Sequence, residues 1–525
     1  MSRNTPSRHR VLLFCAAFFV SSADAAERPN IVIVMADDLG YSDIGCYGGE
    51  IRTPHLDRLA AGGLRFTQFY NTARCCPTRA ALLTGLYQHQ AGVGHMTGDY
   101  GIPAYQGYLN DRCVTIAEAL RPAGYTTLMT GKWHVGTQLG RWPLDRGFDR
   151  FFGTPSGGGV YFKDTLKVRT NVFFVHDNQR VEPPDDLYVT DTFTDYALQF
   201  VEEAVESGNP FFLYLAHIAP HWPLQAKPED IDRYRGVYDQ GWDAVRAARY
   251  ERQREMGLFD GECRLSPRDP QAGAWDELSE AKRADLSGRM SIYAAQVDCI
   301  DQNVGRLVER LEHLSVLDNT LFMFLSDNGC SAEGGPGGFS RGRDGAPIGA
   351  ALSYASVGLQ WANAADTPLR RFKMSTHEGG IATPLVVHWP DGIERSGRWV
   401  REPGHVIDLM PTCLEVAGVA YPSQHVDRQI LPPEGRSLLP AFAGEPIERD
   451  GLFWEHQGNR AVRVGDWKLV AQHQGSWELY DLRADRTELN DLAGRHPQRV
   501  RQLAARWDAW AARCGVEPWP VERRE

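Results

Sequence analysis

No Cys-x-x-Cys pair occurs among the 10 cysteines of this sequence, which argues against a zinc ribbon or a thioredoxin-type redox site. There is no surplus of positive charge: 56 Lys and Arg stand against 67 Asp and Glu, a formal net charge of −11. That balance argues against a nucleic-acid binder held by nonspecific electrostatics. No apolar run reaches the ~20 residues needed to cross a bilayer, so no stable membrane anchor is expected. Paired histidine-rich motifs of the kind a zinc phosphatase needs are also missing. What is present is ordinary for a globular protein, with 42% hydrophobic and 23% charged residues. A single core stops growing at roughly 250–300 residues. A chain of 525 residues is therefore expected to hold one large domain and a smaller one, or two comparable ones.

The first 25 residues read as something other than fold. Arg8, His9 and Arg10 precede an apolar run from Val11 to Val20, and Ala23 and Ala25 form an Ala-x-Ala site. A basic n-region, a short apolar h-region and small residues at the end make a cleaved secretory signal. The mature chain is expected in the periplasm or secreted. An oxidising compartment allows disulfides, but the scattered cysteines predict no pairing.

Short apolar runs punctuate the rest: Ile31 to Met35, Thr126 to Met129, Phe211 to Leu215, Leu321 to Leu325 and Leu385 to Val387. They read as buried strands of a parallel sheet. Ile292, Ala295, Cys299, Asn303, Leu307, Leu311 and Leu314 keep a helical period ahead of the fourth run. Alternating strands and helices predict an α/β domain with both sheet faces covered. A Pro-rich stretch near Pro422 to Pro440 leads to a tail. There Trp467–Val470 and Trp477–Tyr480 flank Gln474-Gly475 as a hairpin. Val500, Leu503, Ala504, Trp507 and Ala511 follow with one apolar helical face, so the tail reads as a small α+β domain.

Chemistry-bearing residues follow the strands. Asp37 and Asp38 follow the first, Lys132 and His134 the second, His217 and His221 the third, Asp327 and Asn328 the fourth. Ligands bind outside the carboxyl ends of strands in open α/β sheets, so these residues predict one polar site. Carboxylate and amide oxygens without sulfur favour calcium or magnesium over zinc. The segment Cys75-Cys76-Pro77-Thr78-Arg79 opens a helix, with Pro77 suited to its first position. Arg79 in the first turn can face the same point as Cys75. A soft thiolate mismatches a hard-oxygen metal site. The mismatch disappears if Cys75 is oxidised to an aldehyde whose hydrate supplies oxygen; a buried thiol, a disulfide partner and a redox cysteine are the other readings of this residue. Lys132 and His134, two apart, would share a face if the segment is extended. The stretch from Gly329 to Ala350 reads either as a lid or substrate-contacting loop, or as a flexible insertion.

Cys75-x-Pro77-x-Arg79 with Leu83-Thr84-Gly85 resembles the signature of the type I sulfatases, in which this cysteine becomes formylglycine. The resemblance extends through Asp37-Asp38-Leu39-Gly40, Gly131-Lys132-Trp133-His134, Ala219-Pro220-His221-Trp222-Pro223, Ser326-Asp327-Asn328-Gly329, Lys373 ahead of Glu378-Gly379-Gly380, and Leu479-Tyr480-Asp481-Leu482. It runs from about residue 29 to about residue 493. It implies the alkaline phosphatase superfamily fold: a large mixed, mostly parallel sheet sandwiched by helices. A smaller C-terminal α+β part on an antiparallel sheet would complete it. Domains are expected at 26–440 (catalytic) and 441–525.

The resemblance also implies roles. Asp37, Asp38, Asp327, Asn328 and modified Cys75 would bind calcium, with magnesium as the alternative. Arg79 would hold the formylglycine diol, Lys132 and Lys373 the sulfate oxygens. His134 would contact the diol, and His221 would protonate the leaving oxygen. The reaction implied is hydrolysis of an aryl or carbohydrate sulfate ester, after maturation by a formylglycine-generating enzyme. The segment from Trp361 to Lys373 looks like the arylsulfatase-type branch. His55, His89, His95, His377 and His388 are expected to be structural, His217 mostly so, and Cys76 a bystander. Two rivals remain at this point: a formylglycine-dependent phosphonate or phosphodiester hydrolase, and an unmodified binding protein.

Overall fold

A computed structural model describes residues 1 and 28–524, apart from 260, 262 and 344. The signal-like segment therefore lies outside the described residues. The main sheet comprises β1 (Asn30–Asp37), β2 (Leu64–Tyr70), β3 (Thr126–Lys132), β4 (Arg150–Thr154), β5 (Phe174–His176), β6 (Gln179–Val181), β7 (Phe211–Pro220), β8 (Thr320–Ser326), β9 (Ala382–His388), β10 (Arg398–Val400) and β11 (Gly404–His405). The order is β10-β2-β9-β8-β1-β7-β3-β4-β5-β6, with β11 also paired to β2. Each of the five expected runs lies within a strand, and β1, β7 and β8 are buried at every position. That burial is why these runs show no alternation.

The parallel register aligns the strand ends. Ala36 stands opposite Ser326, Asp37 opposite Pro220, and Gly131 opposite Ala216. The residues that follow these positions consequently meet at one edge. The helix Val189–Glu206 packs on β3 and β7 and against the long helix Glu280–His313. The helix Cys75–Thr84 is buried along its whole length and packs with Leu409–Val416.

Two local expectations need correction. The run Leu385–Val387 lies in β9, which is antiparallel to both β2 and β8. The chain turns through Glu378–Ile381 at the edge where β8 ends and runs back. A strand buried on both faces reads alike in either direction, so composition could not tell them apart. Pro77 is the third residue of its helix, not the first, since the helix begins at Cys75. The first turn's N–H groups have no partner within the helix, so a residue without one fits there too.

The tail begins with a short ribbon, β12 (Gln424–His425) and β13 (Arg428–Gln429), and then forms an antiparallel sheet. Its strands are β14 (Leu452–His456), β15 (Asn459–Val464), β16 (Trp467–Ala471) and β17 (Glu478–Asp481), in that order. The helix Pro497–Cys514 packs on β15 and β16, and Val462, Leu469, Leu479 and Leu503 share a small core. This sheet is bonded to the main one. Lys468 Nζ lies 2.7 Å from Glu378 Oε1 and 2.8 Å from Glu488 Oε1, all three side chains buried. Arg463 Nη1 donates to Tyr70 Oη at 2.6 Å. All nine described cysteines are buried and free. No described helix is long and apolar enough to cross a membrane.

Candidate active site

The carboxyl ends of β1, β3, β7 and β8 bring the site together, and several residues there take a conformation L-residues avoid. Asp38, Ala73, His134 and Met374 have φ of 68°, 66°, 58° and 76°. Such strain persists only where surrounding contacts hold it, and it clusters at functional sites. It also revises one expectation. Lys132 ends β3 and His134 lies past it in the left-handed region, so the pair meets at Cys75 through a turn rather than through strand alternation.

The carboxylates and cations interlock. Lys132 Nζ is bonded to Asp37 Oδ2. Arg79 Nη2 donates to Asp327 Oδ2 at 2.8 Å and lies 3.6 Å from Asp37 Oδ2, while its Nη1 donates to Lys132 O at 2.8 Å. Asn328 Nδ2 donates to Asp38 Oδ1 at 2.6 Å. His221 Nε2 stands 3.6 Å from Asp38 Oδ2. Gly329, next to Asn328, lets the turn at Gly379 come close, because a Cβ there would lie 2.0 Å from Gly379 O.

Burial and charge work against each other here. Burial opposes the Asp37 carboxylate, but Lys132, His221 and Arg79 together hold its pKa down at about 2. Burial likewise disfavours the Lys132 ammonium, and Asp37, Cys75 and Asp327 together more than offset it. Asp327 goes the other way: burial and the neighbouring Asp37 push it well above the usual range against the opposing Arg79. Burial and Lys132 lower His134 to about 4. A hydrogen bond from Cys76 lowers the Cys75 thiol against the opposing burial, with Lys132 and His134 acting in the same direction as Cys76.

Metal-binding capacity can be judged from unpaired atoms. Asp37 Oδ1 and Asn328 Oδ1 are buried without a hydrogen-bond partner. Ligand atoms of Asp37, Asp38 and His221 lie within 4.8 Å of one another, as do those of Cys75, Cys76 and His134. Buried acceptor oxygens with no donor suit a hard divalent cation. Formylglycine also fits, because Cys75 sits at a helix N-terminus among Lys132, His134 and Arg79, a setting for oxygen rather than neutral sulfur.

A cavity of about 540 Å³ opens over Cys75, His134, His221 and Lys373. Arg74, Arg169, Asn171, Trp222 and Glu333 complete much of its wall, and sequence reasoning gave none of them a role. Glu333 comes from the Gly-rich stretch, which thus contributes to the cavity. Phe339 of the same stretch packs edge-on to Trp222. The signal that could have found Glu333 was its place as one of two acidic residues, with Asp344, in a long loop leaving a site strand. His55, His89, His95, His217, His377 and His388 do not line this cavity. His89 bonds Glu455 and His377 bonds Glu478. Cys76 is buried against Met96.

Residues 29–419 match the Sulfatase family, and residues 371–507 match the C-terminal part of N-sulphoglucosamine sulphohydrolase. The chain belongs to the sulfatase family. It is 35% identical to an arylsulfatase of Klebsiella aerogenes over 427 residues, covering 78% of this chain and 91% of that protein. It is 35% identical to an uncharacterized sulfatase of Schizosaccharomyces pombe over 535 residues, covering 94% and 95%. The crystal structure of Ps i-CgsB with k-i-k-neocarrahexaose superposes with a TM-score of 0.69 at 28% identity, covering 92% and 93%. This sulfatase is a sulfuric ester hydrolase with the fold of the alkaline phosphatase superfamily.

Proposed function

We propose that this sulfatase works through formylglycine made from Cys75 and a divalent metal held by Asp37, Asp38, Asp327 and Asn328. Calcium is the first candidate and magnesium the second. The observation that carries the reading is the convergence of four oxygen-bearing side chains with Cys75, two of their oxygens lacking any partner. When present, the formylglycine hydrate supplies an oxygen nucleophile, and the metal lowers that oxygen's pKa and neutralises charge.

The chain's own residues supply the rest. Lys132 and Lys373 present ammonium groups to the sulfuryl oxygens, where preorganised charge has its largest effect. Arg79 fixes the Asp327 and Asp37 carboxylates from behind. His134, kept neutral by burial and Lys132, accepts a proton beside position 75. His221 Nδ1 lies 2.6 Å from Trp222 O. That oxygen only accepts, so Nδ1 carries its hydrogen and Nε2 faces the site. As the imidazolium, protonated on both nitrogens, His221 gives its Nε2 proton to the departing oxygen and is left with the Nδ1 hydrogen, with Lys373 assisting. Such help is typically worth about 10²–10⁴-fold.

An oligosaccharide in the Ps i-CgsB crystal structure supports a carbohydrate sulfate as substrate, and the arylsulfatase relative supports an aryl sulfate as assay substrate. A cleaved signal over residues 1–25, a periplasmic or secreted location and maturation by a formylglycine-generating enzyme belong to the same proposal. So does a division at 26–440 and 441–525. The test is mass spectrometry of the Cys75 peptide together with kcat/KM on an aryl sulfate and a phenyl phosphonate. An aldehyde at position 75 and a preference for the sulfate support the reading. An unmodified thiol in fully active protein, or a preference for the phosphonate, would overturn it.

A further inference from the structure

We propose that Arg169 binds a second anionic group, sulfate or carboxylate, on the leaving group, making the substrate a polyanionic carbohydrate. The proposal rests on the sulfatase reading of the cavity. Three Lys or Arg side chains line it: Arg74, Arg169 and Lys373. Lys373 Nζ is bonded to Asp38. Arg74 Nη2 pairs with Glu333 at 3.2 Å. Arg169 has no carboxylate partner among the described residues. Its Nε donates to Gly158 O at 3.4 Å, and its guanidinium lies over the rings of Trp222 and Tyr354 at 5.8 and 6.0 Å.

Its position gives the cation a direction of use. The His221 and Trp222 rings are 4.5 Å apart. Trp222 is thus a neighbour of both His221, which faces the departing oxygen, and Arg169. Arg169 shares the cavity wall with His221 and Trp222 and makes no bond to the Asp37 cluster, so we assign it to the leaving group. The apolar face of a sugar fits the Trp222 ring, and an anionic substituent beyond it reaches the guanidinium fork. Asn171, also on the wall, offers a neutral amide nearby. The cavity's one carboxylate outside the Asp37 and Asp38 cluster, Glu333, is already covered by Arg74 and the Trp222 Nε1–H. The approach is built in. Gly159 has φ +87°, and even a Cβ there would stand 3.3 Å from Arg169 Nε.

The test uses the full-length, formylglycine-bearing enzyme and three probes. These are N-acetylgalactosamine 6-sulfate, the same sugar with a second sulfate at O4, and a disaccharide joining the 6-sulfated sugar to glucuronate. Wild-type enzyme should prefer one or both of the dianionic probes, and which one distinguishes sulfate from carboxylate. In Arg169→Gln the ratio of kcat/KM, dianionic over monoanionic, should fall at least ~10-fold, mostly through KM. Arg169→Lys should restore part of it, keeping charge but losing the fork. Added salt should raise the dianionic KM in the wild type and much less in Arg169→Gln. Equal losses on all three probes, or a wild-type preference for the monosulfate, would overturn the proposal. If no probe is hydrolysed, an aryl sulfate assay separates the two readings: turnover there keeps the sulfatase reading of the cavity, and its absence overturns that reading independently of Arg169. Calorimetric binding of the disulfated sugar, with and without Arg169→Gln, then decides the role of Arg169: weaker binding in the variant supports it, and unchanged binding overturns it.

Discussion

Lys373 Nζ donates to Asp38 Oδ2 at 2.8 Å across 335 residues of chain. The lysine that would grip sulfate is therefore also the partner of a carboxylate that would grip metal. Lys373→Ala should lower kcat/KM for an aryl sulfate by ~10²–10³-fold. Steady-state kinetics on folded variant checks this, with circular dichroism as the control. Full activity would remove Lys373 from the site.

Cys75→Ala should abolish turnover, by ~10⁴-fold or more, while leaving the fold intact. Cys75→Ser is the finer probe, because a serine can accept sulfate yet cannot release it by collapse to an aldehyde. Intact-mass measurement after incubation with substrate should find sulfated protein. Multiple turnover at the wild-type rate would contradict the scheme.

Chelation should remove activity, and calcium or magnesium should restore it. Asp327→Asn keeps the size of the side chain but weakens its hold on both a cation and Arg79 Nη2. The variant should need a higher metal concentration for half-maximal rate than the wild type. Activity that survives exhaustive chelation would dismiss the metal.

His221→Ala should slow substrates with poor leaving groups by ~10²–10⁴-fold and 4-nitrophenyl sulfate much less. The expected result is a steeper dependence of kcat/KM on leaving-group pKa. An equal loss across the series would assign His221 to positioning instead.

Glu478 gives a pH prediction away from the site. Burial opposes its charge, but a hydrogen bond from His377 and the bond from Tyr480 hold its pKa at about 2, against an ordinary 4.5. A carboxyl depressed by folding stabilises above its unfolded pKa and loses that contribution as pH falls through its folded value. Glu478→Gln should therefore be less stable than wild type near neutrality, with the gap closing between about pH 4.5 and pH 2. Urea denaturation across that range measures it.

Much of this site was legible because its residues sit directly after buried strands. Asp37, Lys132, His221 and Asp327 each follow an apolar run, and parallel strands in register must deliver them to one edge. The left-handed turn at His134 was not legible, since nothing in a His residue announces positive φ. Nor was the direction of β9, because a fully buried strand carries no mark of its partners' sense. Arg74, Arg169 and Glu333 escaped for a different reason. They lie on irregular segments whose path is set by tertiary contacts, where neither a period of two nor one of 3.6 applies.

The bonds between the tail and the segment carrying Lys373 have a practical consequence. Asn459 Nδ2 donates to Met374 O at 3.1 Å, and Lys468 reaches Glu378 on the far side of the same turn. A chain shortened before β14 would keep Cys75 and all four proposed oxygen ligands, yet lose the clamp that seats Lys373, the cation proposed to grip sulfate. Chimeras that borrow a tail from another sulfatase would inherit that clamp's errors along with its surface.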